Sequence, residues 1–455
     1  MEPQLDIDEA LYQFRQDNDT QKDIAALRAI GPAPWVALPG GIRARAVVHP
    51  ELLRIVARHT QVSKDAGAHW PTYKNRELPK DWPLMPWVAG KHAFSAENSP
   101  ASDNHRRLRE PLDQALHRRQ VEAMRPRIEQ IVTAALGRAA EAGTDPVTGQ
   151  PRVVDLRALV TLAVPIQVIS DLLGIPEHLG PAFQQCADNL FDSSISRNDM
   201  LANQAVLQQT LEELIAYRAK HPGEDLTSTL LSKQYRRTLS LEERMATVRL
   251  IIVAAIETVG NLMGSAILNL LTHPEALTAV RSGQAAWDDV IDETLRHDGP
   301  AGAVPLRFAT RDIAATVDTD NGPITVEFQQ GVPILPVWAA AGRHPDNTTP
   351  DPDAFDVLRT KKKHLAFGHG PHYCAGADLA VAQTAILLPA LFDRFPGMTL
   401  AVDRNTIGRT RGFIGDGPHT VPVLLGPVNP GQITHGGSAR RKPGRASGSL
   451  TGAPS

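Results

Sequence analysis

One short stretch constrains this 455-residue chain more than any other: His364-Leu-Ala-Phe-Gly-His-Gly-Pro-His-Tyr-Cys374-Ala-Gly376. It sets a cysteine at the end of a glycine-rich loop, just ahead of an apolar run that begins near Ala377. A helix opening there aims its first N–H groups and the positive end of its dipole at the sulfur, which favours the thiolate. Gly368 and Gly370 let the backbone turn tightly and approach a flat partner closely. Phe367 supplies an aromatic wall, and His372 a cation or donor two residues before the sulfur. A lone thiolate held this way can be the axial ligand of a haem iron, pushing electron density toward O–O cleavage. Two other readings fit the segment alone. One is zinc held by His364, His369, His372 and Cys374. The other is a buried structural cysteine in a tight turn.

Cys186 and Cys374 are the only cysteines, so no disulfide framework exists, as expected in a reducing cytoplasm. A net charge of -3 gives no reason to expect nucleic acid or an anionic membrane as partner. The start, Met1-Glu-Pro-Gln-Leu-Asp, has neither a basic n-region nor an apolar h-region, so a cytoplasmic protein is expected. The one long apolar run, Val248 to Leu271, carries Arg249, Glu257, Asn261 and Asn269. A carboxylate at mid-span costs about 2.5–3.5 kcal/mol on insertion scales, so the run reads as the spine of a large soluble core.

Around that spine the chain reads mainly helical. Periodicity predicts helices over 105–116, 121–142, 156–173, 181–191, 206–219, 241–271, 287–296 and 379–395. A hairpin is expected over 35–49, with Arg43 and Arg45 on one face and Ala44 and Ala46 on the other. Thr325–Phe328 and Val332–Leu335 read as strands, and 400–425 as a final hairpin. Residues 63–100, with Trp70, Trp82, Trp87 and five prolines, read as a long functional loop. The fold class is mainly α with small β-sheets. Its expected divisions are an N-terminal segment 1–29, one domain over 30–425, and a disordered Gly/Pro/Ser-rich basic tail over 426–455.

Two further pairs stand out. Glu293 and Arg296 lie one helical turn apart, which alone is an ordinary surface ion pair. Glu257 and Thr258 sit side by side in the middle of the apolar run, where both are expensive unless something uses them. Either they face a wet groove or they serve a reaction.

Phe367-Gly-x-Gly-x-His372-x-Cys374-x-Gly376 resembles the haem-binding loop of the cytochromes P450. The Glu293-x-x-Arg296 pair about eighty residues earlier, and Glu257-Thr258 before that, occur in the same order as in that family. The likeness runs from about residue 30 to 425 and is greatest to soluble bacterial members that modify secondary metabolites. It implies a triangular prism fold and one haem b, with O2 as cosubstrate and Cys374 as the iron's axial ligand. It implies that Glu293 and Arg296 are buried and bonded to the stretch Ala354–Arg359, in a structural role. Glu257 and Thr258 become the acid–alcohol pair that passes protons to bound dioxygen, although Ala255 replaces the usual glycine.

By order and spacing, His105, Arg109, Arg307 and His372 fall at positions that contact the haem propionates, and Ala254, Phe367, Gly368 and Gly376 at positions that line the cofactor. The substrate pocket falls on Trp87, Val88, Val253, Ile256, Ala303, Val304, Phe413 and Ile414. The implied activity is insertion of one oxygen atom of O2 into an apolar small molecule. Oxidative C–C coupling or ring closure would use the same motifs, and a non-catalytic metal- or haem-binding module is the remaining alternative. NAD(P)H electrons are expected through a ferredoxin and its reductase, docking on a basic patch of Arg106, Arg107, Arg118, Arg119 and Lys361–Lys363. A monomer without membrane partner completes the expectation.

Overall fold

A computed structural model describes residues 11–14, 19–79, 82–88, 103–191, 196–319, 322–348, 350–410 and 412–429. The predicted tail therefore lies outside the described residues from 430 on, as do residues 89–100 of the long loop.

The apolar run forms one 32-residue helix, Leu241–Thr272, opened by a capping box in which Ser240 and Glu243 satisfy each other's backbone N–H groups. It is long and apolar enough to cross a membrane, yet 72% of its most apolar window is buried inside the protein. Ile252, Met263, Ala266 and Ile267 are all but inaccessible, so the helix is the spine of the main core. Helices Arg118–Ala142, Ala163–Leu173 and Ala377–Arg394 pack in the same core.

The main sheet has six strands in the order Tyr12–Gln13, Trp35–Leu38, Ile42–Val47, Pro333–Pro336, Arg307–Ala309 and Val62–Ser63. The expected hairpin is its seed, with Trp35 opposite Arg45 and Leu38 opposite Ile42. Ala44 and Ala46 face the core while Arg43 and Arg45 lie against the Trp35 ring, 4.9 and 4.3 Å from its centroid. At the far edge Ser63 pairs with Phe308, which brings the next residue, Lys64, beside Arg307. The final hairpin closes a separate small sheet, with Pro422–Leu424 between Thr399–Leu400 and Val153–Asp155.

Several boundaries differ from expectation for local reasons. The helix expected from Val206 begins at Arg197, because the Ser196 hydroxyl accepts the Asp199 N–H and caps it. The helix expected over 156–173 opens with a π-helical turn, Arg157–Thr161, before the α-helix Ala163–Leu173. The N-terminal segment is not detached. Helix Thr20–Ile30 buries Ile24 and Leu27 in the same cluster as Val36, Leu38 and Phe308. The stretch from Ser63 is likewise ordered where described. Trp70 is buried against Trp82 and Phe308, and the Trp82 indole N–H donates to the Pro39 carbonyl (2.7 Å).

Candidate active site

A cavity, partly open to solvent, lies where the central helix meets the cysteine loop. Phe367, Gly368, Cys374 and Gly376 line it from the loop, as do Ala254, Ala255 and Thr258 from the helix.

The loop is fixed by its own backbone. Cys374 N–H donates to the Phe367 carbonyl (2.9 Å), Gly368 N–H to Leu365 (2.8 Å) and Tyr373 N–H to Gly370 (2.9 Å). Gly370 has a φ of +72°, and a Cβ there would stand 2.7 Å from the Ala57 carbonyl oxygen, so only glycine fits. Arg109, which lines the cavity, also braces the loop, donating to the Tyr373 carbonyl (2.6 Å) and to Asp113 (2.7 Å). Gly376 caps helix Ala377–Arg394, and its N–H bonds the sulfur.

The thiol itself differs from the simple expectation. Burial raises the Cys374 pKa, outweighing the Gly376 N–H and the Arg109 charge, which lower it. The protein surroundings thus favour the thiol form, and coordination by a metal would favour the thiolate. The zinc reading fails on geometry. Among the described residues, no group of three His, Cys, Asp or Glu donors that includes Cys374 lies within 4.8 Å of one another.

One region of the cavity collects basic side chains. His105, which does not itself line the cavity, stacks edge to face on the lining residue His372 at 4.4 Å. The buried Nε2 atoms of both, and Nε and Nη1 of Arg307, have no hydrogen-bond partner among the described residues. Burial pushes the Arg307 guanidinium down to about 10. His372 is held well below the ordinary histidine range by burial and by Arg307, Lys64, His105 and Arg109. Orphaned buried donors are costly and call for a partner. Two carboxylates on a flat macrocycle facing Cys374 are such a partner, so the donor set fits haem. Lys64, fully buried and depressed well below the usual lysine range by burial and by Arg307, also lines the cavity. Sequence reasoning missed it, because two short paired strands leave no periodic signal.

The Glu293–Arg296 pair is wholly buried, not a surface pair. Arg296 donates to both Glu293 carboxylate oxygens (2.9 and 2.7 Å) and to the carbonyls of Gly342, Pro352 and Ala354. Glu293 in turn accepts from Asp356 N–H (2.8 Å) and Arg359 (3.4 Å). The pair thus holds the irregular stretch that leads into the cysteine loop, as the resemblance implies.

The central helix separates its two polar residues. Thr258 lines the cavity, and its hydroxyl donates back to the Ala254 carbonyl (2.6 Å). Glu257 does not line it: its buried carboxylate accepts from Arg157 Nη2 (2.5 Å), and Arg157 Nη1 also bonds Asn261 (2.9 Å). The expected pocket is likewise divided. Trp87, Val304 and Ile414 line the cavity, but Val88, Val253, Ile256, Ala303 and Phe413 do not. Val88, Ala303 and Phe413 are buried in the core that holds Trp82, with Val253 packed against it, and Ile256 joins the main core. Phe413 stacks on Phe14 at 4.6 Å. Their places are taken by Leu250, Ile251, Ile169 and Leu116. Gln383 is a further unexpected lining residue, fully buried with no partner for either amide atom.

No protein-family model matches the chain. It is 35% identical over 408 residues to the 2-hydroxy-5-methyl-1-naphthoate 7-hydroxylase of Streptomyces carzinostaticus, covering 90% of this chain and 95% of that one. It is 33% identical over 389 residues to the cytochrome P450 monooxygenase PikC of Streptomyces venezuelae, covering 84% and 86%. The solved structure of CYP154A1 from Streptomyces coelicolor A3(2) superposes with a TM-score of 0.83 at 39% identity, covering 91% of this chain and all of that one. With the cysteine loop, the buried Glu293–Arg296 pair and these relatives in agreement, the chain belongs to the cytochromes P450, oxidoreductases of the haem-dependent monooxygenase type.

Proposed function

We propose that this enzyme hydroxylates a rigid, apolar, ring-bearing secondary metabolite in the bacterial cytoplasm, with electrons from a ferredoxin and its NAD(P)H-dependent reductase. The observation that carries this reading is one cavity with two kinds of lining: Cys374, Phe367 and the orphaned donors of His372 and Arg307, together with apolar Trp87, Ile169, Leu250, Ile251, Val304 and Ile414.

In this reading Cys374 Sγ would ligate the haem iron, and Arg307, His105, His372 and Lys64 would meet the haem carboxylates. Arg109 acts mainly by fixing the loop, since its guanidinium is already committed to Tyr373 and Asp113. The bound haem supplies the activation of dioxygen. The chain's part is to orient substrate, exclude water and deliver protons. Thr258 is the cavity-side hydroxyl, and its bond to the Ala254 carbonyl leaves its oxygen lone pairs directed to a water or ligand. Arg157 holds the Glu257 carboxylate away from the cavity, so in this reading Glu257 serves that hydroxyl by leaving the ion pair.

The substrate class is supported by the apolar wall and by the relative named for hydroxylating a naphthoate. The test is a ligand screen that follows the haem absorption spectrum. Ring-bearing apolar compounds should displace the iron-bound water and shift the Soret band, and Trp87→Ala should weaken their binding by about tenfold, the loss of roughly 1.4 kcal/mol of contact. A screen in which only small polar compounds shift the band would overturn the proposed substrate class.

A further inference from the structure

Away from the cavity, His49, His344 and Asp346 bring one donor atom each to within 4.8 Å of one another. His49 precedes helix Pro50–Arg58 and is 6% exposed. His344 and Asp346 stand in the turn after the 3-10 segment Trp338–Ala341. That turn is held from within: Asn347 and Thr348 N–H groups donate to the His344 carbonyl (2.9 and 3.0 Å), and their side chains to the Ala341 and Gly342 carbonyls (2.9 Å each). None of the three residues lines the cavity described above.

We propose that these residues form a second metal site, for a divalent transition ion of the zinc type. His49 Nε2 lies 3.2 Å from Asp346 Oδ2, and His344 Nδ1 lies 3.6 Å from the same oxygen. Zinc binds such donors at about 2.0–2.2 Å, which gives a coordination tetrahedron with edges of roughly 3.3–3.6 Å. Two of the three protein edges, 3.2 and 3.6 Å, already lie within about 0.1 Å of that range. The third closes by rotation of the His344 ring, whose centroid stands 5.0 Å from that of His49. A simple ion pair needs one imidazole at the carboxylate; a second one directed at the same oxygen is the feature that a metal accounts for. Imidazole nitrogens also select zinc-like ions over magnesium or calcium, which prefer all-oxygen shells. The Asp346 side chain is 42% exposed, so water can fill the fourth position. An ion there would replace the His49 Nε2–Asp346 Oδ2 contact (3.2 Å) and the long bond from Asp346 N–H to His344 Nδ1 (3.3 Å).

The site has a structural consequence. An ion there ties the start of helix Pro50–Arg58 to the turn, and the same helix backs the cysteine loop where Gly370 meets Ala57. An ion that binds only the folded chain stabilises it by mass action.

The experiment uses the full-length haem-loaded protein, stripped of adventitious metal with a chelator and titrated with zinc chloride by calorimetry. Elemental analysis and a thermal melt accompany it. The proposal expects one zinc per chain in addition to haem iron, together with a rise in melting temperature. His344→Ala and Asp346→Ala should each lose at least tenfold in zinc affinity while keeping the haem ratio and Soret spectrum of the parent. Absence of zinc uptake by the parent, or undiminished uptake by both variants, would overturn it.

Discussion

Arg157 and Glu257, a hundred positions apart in sequence, form a buried ion pair with Nη2 and Oε1 2.5 Å apart, on the side of the central helix that does not line the cavity. The π-helical turn Arg157–Thr161 carries the guanidinium, which also bonds Asn261 one turn further along that helix. The acidic residue expected to feed protons into the site is thus restrained by a cation, whereas its neighbour Thr258 faces the cavity.

If Glu257 supplies protons from this restrained position, Glu257→Gln should lower turnover by about 10²-fold, the lower end for loss of a general acid–base group. The solvent deuterium isotope effect should rise, and substrate-induced spectral shifts should be unchanged. Unaltered turnover would mean that protons reach Thr258 without this carboxylate.

Thr258→Ala should spare haem content and substrate binding, since the hydroxyl bonds only the Ala254 carbonyl. Product formed per NAD(P)H consumed should fall several-fold, with hydrogen peroxide appearing in its place. Undiminished coupling in this variant would remove the hydroxyl from the proton path.

Asp298 tests the acid stability of the fold. Burial raises its pKa, but His297, Arg343 and Arg409 together outweigh that and hold it well below the ordinary carboxylate range. A carboxylate depressed in this way adds stability that is fully present above its unfolded value of about 3.9, and loses it as pH falls through the folded value. Asp298→Asn should therefore cost roughly 3–5 kcal/mol at neutral pH, as expected when a buried ion pair loses one partner. The deficit, read from urea melts, should stay constant down to about pH 5 and shrink below pH 4. A deficit that grows in acid would contradict the assignment.

Three members of the expected ferredoxin dock are already engaged. Arg106 donates to Asp103 (2.5 Å), Arg107 to Glu243 (2.6 Å), and Lys362 to Asp289 (3.1 Å). Arg118, Arg119, Lys361 and Lys363 are exposed and carry the prediction. Reduction by an acidic ferredoxin should slow as salt shortens the Debye length from about 10 Å at 0.1 M. Arg118→Glu should mimic high salt without moving the Soret band. A rate indifferent to both would locate the dock elsewhere.

What could be read from the sequence was local. The cysteine loop and the Glu293–Arg296 pair depend on spacings of a few residues, and both were legible, including the bonds of the pair to the stretch around Ala354 and Asp356. Helical periodicity located the central helix but did not fix its rotation. Val253 and Ile256, placed in the pocket by position in the resembling family, do not line it, while Leu250 and Ile251 do. Lys64 was invisible because its place beside Arg307 depends on a two-residue strand, and Arg157 because a π-helical turn looks like the start of an ordinary helix.

The central claim is that Cys374 ligates haem iron, and the ferrous carbon monoxide difference spectrum tests it most directly. The account predicts the red-shifted Soret band of thiolate ligation in the parent, and its loss in Cys374→Ser, because an alcohol oxygen donates far less electron density than a thiolate. A parent protein that binds haem but shows only the unshifted band, or a Cys374→Ser variant that keeps the shifted one, would contradict it.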